Sequence, residues 1–302
     1  MSNCPEVGTT DSNIRNVVSV DVENWNSRPL VRKFGRGKSK DEYNMDGVLE
    51  GVRDTLAIFE KHNRTGTFFV LGTVANACPE AVELIAKHGH EIAIHGFHHR
   101  QLAELGKDKF EAEIQKSSSM IKKITGNVPR GFRAPNFSMT KETGWALDIL
   151  EREGFSYDSS VMPGFNISSM KPTLGLGRRV YGLYKASHVN PFRSTTDSTD
   201  RIFEFPTIAR RLLMLDLPAG GGFYLRVLGH DFILKAISNL NKRGASAMCY
   251  LHNWEISGIP NRGLPPGISQ LANFGMPIIN ELSHILRNIK TATANEIVAA
   301  NQ

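Results

Sequence analysis

The chain of 302 residues is poor in cysteine. Cys4, Cys78 and Cys249 are odd in number and far apart, which excludes both a disulfide framework and a zinc-finger spacing. A reducing, cytoplasmic setting is the expectation. Long apolar runs are also missing. No stretch approaches the ~18 uninterrupted apolar residues of a membrane helix, and the most apolar region, Phe68 to Ala86, is broken by Asn76, Pro79, Glu80 and Glu83. The opening MSNCPEVGTTDSNIRN has no basic start, apolar stretch or small-residue cleavage site, so no secretory signal is read there. Internal repeats and nucleic-acid recognition motifs are absent. A strong charge of one sign is lacking too: 36 Lys and Arg against 30 Asp and Glu leave +6, which permits an anionic ligand or membrane surface without demonstrating one.

What is present is ordinary globular composition, 40% hydrophobic and 22% charged, in a chain long enough for a large core. NVVSVDV (16–22) reads as a buried strand, and TGTFFVLG (65–72) as another. Val48, Val52, Leu56 and Phe59 have helical spacing within 47–62. Pro79–Lys87 reads as a helix, with Pro at its start and Gly89 beyond its end. Glu91–Ile94 is a third strand, and helices follow over 108–124 and 140–153, with strands near 131–133 and 155–158. Residues 159–200 are rich in Gly, Ser and Pro and read as loops with short strands. Later segments give a strand over 202–206, a turn at Gly220–Gly222, a helix over 224–240, a strand over 247–251 and a helix over 278–289. Strand–helix alternation predicts an α/β fold with a largely parallel sheet. No linker divides the chain, so a flexible start (1–15), one elaborated domain (16–290) and a tail (291–302) are expected.

Polar groups at the C-terminal ends of parallel strands are the usual catalytic positions in α/β barrels. Asp21 and Glu23 follow the first strand, on one side of an extended chain. One could bind a metal while the other takes a proton from water; the plain alternative is a solvated strand end. In HGFHH (95–99), His95 and His99 share a face if the segment turns helically, and could share a cation; otherwise this is a polar loop. His252, after an apolar strand, could protonate a leaving group or be a hydrogen-bonded core histidine. Arg133 and Asp158 could be an orienting pair or an unrelated ion pair. Trp25, Phe137, Phe223 and Trp254 could stack on sugar rings or pack in the interior. The loop from Arg28 to Lys40 carries six positive charges and no negative one. It reads first as a solvated stretch, and second as a contact for a phosphate or an anionic membrane surface.

The order of these segments resembles the polysaccharide deacetylases, the NodB-homology group of carbohydrate esterase family 4, over residues 16–290. SVDVENW (19–25), HGFHHRQL (95–102), GFRAPNFSM (131–139) and GFSYDSSVMP (154–163) are similar to successive family motifs. EFPTIAR (204–210), LPAGGGFYLR (217–226) and CYLHNWEI (249–256) are similar to motifs of the subgroup associated with exopolysaccharide biosynthesis.

The resemblance implies a distorted (β/α) barrel and metal-dependent hydrolysis of N-acetyl groups on a polysaccharide or its lipid- or nucleotide-linked precursor. By motif, Asp21 would be the base and His252 the acid. Arg133 would hold the base and Asp158 would orient Arg133. His95 and His99 would bind a divalent metal, zinc in the first place, with cobalt or nickel as alternatives. Many family members have adjacent acids in the first motif. Here Asn24 stands where close relatives often carry an acid, and Glu23 is chosen over Asn24 as third ligand. Hydrolysis of a small amide or cyclic imide, a silent sugar-binding relative and a metal-binding structural protein are the alternatives. The sequence leaves the oligomeric state open.

Overall fold

The computed structural model describes residues 13–24, 45–163, 165–166, 171–172, 184–185, 202–212, 215–257 and 276–302. Trp25 and the basic loop 28–40 lie outside them. In chain order the elements are strand β1 (Val17–Val22), helix α1 (Met45–Lys61), β2 (Thr67–Val70), α2 (Gly72–Ala77), α3 (Pro79–Lys87), β3 (Glu91–Ile94), α4 (Leu102–Leu105), α5 (Lys107–Thr125), β4 (Gly131–Phe132), α6 (Trp145–Arg152) and β5 (Tyr157–Asp158). Then come β6 (Phe165–Asn166), β7 (Lys171–Pro172), β8 (Tyr184–Lys185), β9 (Phe203–Glu204), β10 (Ala209–Leu212), β11 (Leu215–Pro218), α7 (Gly222–Asn241), β12 (Met248–His252), α8 (Asn253–Ile256), α9 (Met276–Asn288) and α10 (Ala294–Ala299).

Among the described residues the main sheet runs β12-β1-β2-β3-β4-β5-β9-β8. Its pairings are parallel except that of β8 with β9. With the helices that alternate with its strands, this curled sheet is a distorted (β/α) barrel of the α/β class. Two smaller antiparallel pairs, β6–β7 and β10–β11, lie outside the main sheet.

Side-chain alternation separates the two faces. On β1, Val18, Val20 and Val22 join the large core under the helices, with Phe59, Val82, Ile114 and Ile285. Val17, one position out of phase, joins a second cluster with Phe69, Ala93, Tyr157, Phe205 and Met248, which fills the barrel interior. Ser19 and Asp21 share the face of Val17, so β1 carries an apolar floor, a polar middle and a carboxylate at the rim. Sequence hydrophobicity alone shows a uniformly buried strand; the two phases have different neighbours.

The stretch expected as a tail is part of the fold. Thr293 caps α10, and Ala294, Ile297 and Val298 pack into the interior cluster from below. Thr67 Oγ1 accepts the Ala294 N–H at 2.9 Å and donates to Glu91 Oε2 at 2.8 Å; Glu91 Oε2 also accepts the Asn295 N–H at 3.0 Å. Burial pushes the Glu91 carboxyl up, and these bonds with that of Tyr157 oppose the shift. The expected helix over 140–153 is shorter: a Thr140–Thr143 capping box closes one 3-10 turn, and α6 begins at Trp145. Pro79–Lys87 is helical as read, with Gly89 at φ +76 beyond its end.

Candidate active site

The C-terminal rim of the sheet gathers the polar residues of five strands. Asp21 and His252 are direct neighbours in the β1–β12 register. His95 follows β3, Arg133 follows β4 and Ser159 follows β5. All are buried except His252, which is part-buried.

Glu23, His95 and His99 place one ligand atom each within 4.8 Å of one another. His95 is oriented by its Nδ1–H, donated to the Arg133 carbonyl at 2.8 Å, so Nε2 carries the lone pair. Burial lowers the pKa of His95, against the charges of Asp21 and Glu23. His99 Nε2 lies 2.7 Å from Glu23 Oε2. Burial alone would push the Glu23 carboxyl up, but the charge and hydrogen bond of His99, with His252 and His95 close by, hold it well below the usual carboxylate range. Glu23 Oε2 is buried without a hydrogen-bond partner of good geometry. Two imidazoles and a carboxylate whose Oε2 has only the poorly aligned His99 beside it fit a divalent cation. Glu23 is itself held: its N–H donates to Asn253 Oδ1 at 3.0 Å, and its Oε1 accepts Trp254 Nε1–H at 3.1 Å.

The two histidines do not meet by helical spacing. HGFHH is an irregular turn in which Gly96 (φ +76) and His99 (φ +56) are left-handed. A non-glycine residue in that region costs on the order of 1–2 kcal/mol. The turn is pinned from two sides: Gly72 N–H donates to the Gly96 carbonyl at 2.9 Å, and Glu113 of α5 accepts the Phe97 N–H at 3.1 Å and pairs with His98 Nδ1 at 2.8 Å.

Arg133 is fully buried and donates from Nη1 to Asp21 Oδ1 at 2.6 Å. Its Nε and Nη2 donate to the Ser159 carbonyl (3.2 Å) and Oγ (3.0 Å), and its guanidinium lies over the Phe69 ring at 3.9 Å. Against the expectation that Asp158 orients Arg133, the hydrogen bonds from this strand end come from Ser159. Tyr157 and Ser159 face the barrel interior, so strand alternation turns Asp158 to the other face. There it accepts from Ser160 N (3.1 Å) and Oγ (2.5 Å) and lies opposite Glu204. Burial, with the neighbouring Asp158 charge, raises the Glu204 carboxyl well above the usual carboxylate range. The Arg133 charge opposes the rise that burial gives the Asp158 carboxyl.

His252 Nε2 faces Glu23 Oε1 at 3.7 Å, and its Nδ1 lies 3.1 Å from Glu255 Oε2. The ring stacks on Trp254 (4.5 Å, 21°) and meets Tyr250 edge-on (5.7 Å). Trp254 is buried and supports the site from within, which removes it as a sugar platform. Phe137 packs on Tyr250 at 4.9 Å. Ser159, Asn253, Glu255 and Arg226 were not singled out from the sequence. The strand-end phase of Ser159, two residues after Tyr157, was the signal available for it.

Residues 45–156 match the family model described as polysaccharide deacetylase, and residues 168–276 match one described as a domain of unknown function (DUF3473). A peptidoglycan deacetylase of Helicobacter pylori is 30% identical over 112 residues, 37% of this chain and 37% of that protein. In this and two further curated matches the chain spans less than half of the relative's length. Among solved structures, a candidate polysaccharide deacetylase of Mycobacterium smegmatis superposes with TM-score 0.56 at 19% identity, over 96% of this chain and 90% of that one. An allantoinase superposes with TM-score 0.58 at 15% identity, over 95% and 90%. At such identities the likeness speaks for the fold alone. The segment 45–156, which carries His95, His99 and Arg133, is the part of the chain that matches the polysaccharide deacetylase family model.

Proposed function

We propose that the protein hydrolyses N-acetyl groups of N-acetylated sugars, releasing acetate and a free amino sugar. The observation that carries this reading is the meeting, at one rim, of an arginine-held carboxylate, a two-histidine carboxylate cluster and a part-buried histidine on the adjacent strand. The relative named as a peptidoglycan deacetylase supports an N-acetylated glycan as substrate.

Glu23, His95 and His99 would hold a divalent cation, zinc in the first place. Such an ion, when bound, polarises a carbonyl and lowers the pKa of water. Asp21 accepts the proton of the attacking water, and the Arg133 guanidinium holds its carboxylate in place. His252, whose Nε2 faces the cluster, delivers a proton to the departing amine. Water adds to the amide carbon, the C–N bond breaks, and the two protons end on the amine and in solution at neutral pH.

Within that class we favour exopolysaccharide assembly, with a polymer or a lipid- or nucleotide-linked precursor as substrate. The support is the order of the EFPTIAR, LPAGGGFYLR and CYLHNWEI segments and the net charge of +6. Peripheral contact with an anionic membrane would engage the basic loop 28–40.

Metal content measured beside activity tests the division of roles. Asp21→Asn keeps its metal and loses at least ~10²-fold in rate, whereas His95→Ala loses both. Equal metal loss in the two variants contradicts the assignment.

A further inference from the structure

We propose that Arg226, on α7, is a positioning residue for this reaction, acting through Glu255 on His252. The inference rests on the reading of His252 as the proton donor. Glu255 is 1% exposed and lies three residues after His252, at the start of α8. Its Oε2 accepts the backbone N–H of His252 at 2.8 Å and faces the ring Nδ1 at 3.1 Å. Its Oε1 is paired with Arg226 Nη1, and the Arg226 side chain is 7% exposed. One carboxylate therefore grips the strand end, the imidazole and a buried guanidinium.

Each partner has a distinct consequence. A buried carboxylate without a counter-charge is costly, and Arg226 offsets Glu255. With Oε1 held by Arg226, Oε2 is left aimed at Nδ1. Nδ1 also meets the Glu255 N–H of the capping box, and the carboxylate beside it favours the proton on Nδ1, so that Nε2 is the nitrogen that exchanges a proton at the rim. Trp254 stacked on the ring restricts its rotation. Gly222, the first residue of α7, makes the approach feasible: a Cβ there would collide with the Glu255 carboxylate. Arg226, Glu255 and His252 all lie in the segment 168–276, which matches a domain of unknown function. On this account that segment supplies the reaction's proton donor together with the pair that aims it.

The test uses the full zinc-loaded chain with Arg226→Met, Arg226→Lys and Glu255→Gln. Three quantities are read: acetate release from an N-acetylated oligosaccharide, hydrolysis of 4-nitrophenyl acetate, and the ring ¹⁵N spectrum of His252. The aryl oxide leaves without a proton, whereas the amine needs one. Arg226→Met is expected to lower kcat on the glycan by about 10²-fold with KM unchanged, and to change aryl ester hydrolysis by no more than about twofold. Arg226→Lys recovers most of the glycan rate. Wild type shows the Nδ1–H tautomer of His252, and Arg226→Met and Glu255→Gln show a mixture. Equal loss on both substrates, or an unchanged His252 tautomer in Arg226→Met, overturns the proposal. A wild type that cleaves the aryl ester but no glycan contradicts the deacetylase reading instead, and the tautomer comparison then decides the positioning role by itself.

Discussion

Arg133 shows how one side chain sets a rim. It is an always-charged group with no exposed surface, and Asp21, both hydrogen-bonding atoms of Ser159 and the Phe69 face surround it. Breaking a buried pair from one side leaves the other charge uncompensated, at a cost of about 3–5 kcal/mol. Arg133→Met is expected to lose stability in that range by chemical denaturation; a change below about 1 kcal/mol contradicts the pairing. His90 gives a second test at this scale. It is packed edge-on against Phe59 and Phe68, and its Nδ1 accepts the Gly66 N–H at 3.1 Å. Burial, aided by the charge of His88, lowers its pKa from 6.5 to about 4. As pH falls from 6.5 to about 4, the unfolded chain binds a proton here that the folded chain does not. Stability contributed by neutral His90 is thus present above pH 6.5 and lost toward pH 4, at no more than about 1.4 kcal/mol per pH unit. Tm measured across this window should fall less steeply in His90→Asn than in wild type, and parallel slopes contradict the assignment.

At the scale of elements, the residues proposed to hold the metal depend on a helix that supplies none of them. Glu113 on α5 holds the turn that carries His95 and His99, and His99 adopts its left-handed conformation within that frame. Glu113→Ala is expected to weaken zinc binding about 10–100-fold by calorimetry; unchanged affinity would mean that the turn holds itself. The sequence made α3 and α5 legible because their ends carry Pro79, Gly89 and Gly126 as local signals. It made the members of the cluster legible because strand ends are marked by where apolar runs stop. It did not reveal the partner of Arg133, since Asp158 and Ser159 are adjacent and only the phase of β5 decides which faces inward. Nor did it reveal Glu255 as a partner of Arg226, since those residues are 29 positions apart on different elements. Helical spacing pairs His95 with His99, whereas the turn that brings them together is irregular.

Across the whole molecule, the fold sorts its interior along the barrel axis. Val17, Ala93, Tyr157 and Met248 fill the lower part, closed from beneath by α10, and Asp21, His95, Arg133 and His252 crown it. Strand–helix alternation carried the class of fold, and motif order carried the barrel. The role of 291–302 as a floor was hidden because a short helix has little signal of its own and is defined by what it covers. No helix among the described residues is long and apolar enough to cross a membrane. The central claim is that this crown removes acetyl groups from a sugar with a bound metal. Acetate release from a panel of N-acetylated oligosaccharides tests it most directly, using protein stripped of metal and resupplied with zinc, cobalt or nickel. The account predicts release that returns with metal in wild type and stays absent in Asp21→Asn. No release from wild type with metal tightly bound, or release that survives Asp21→Asn, would contradict it.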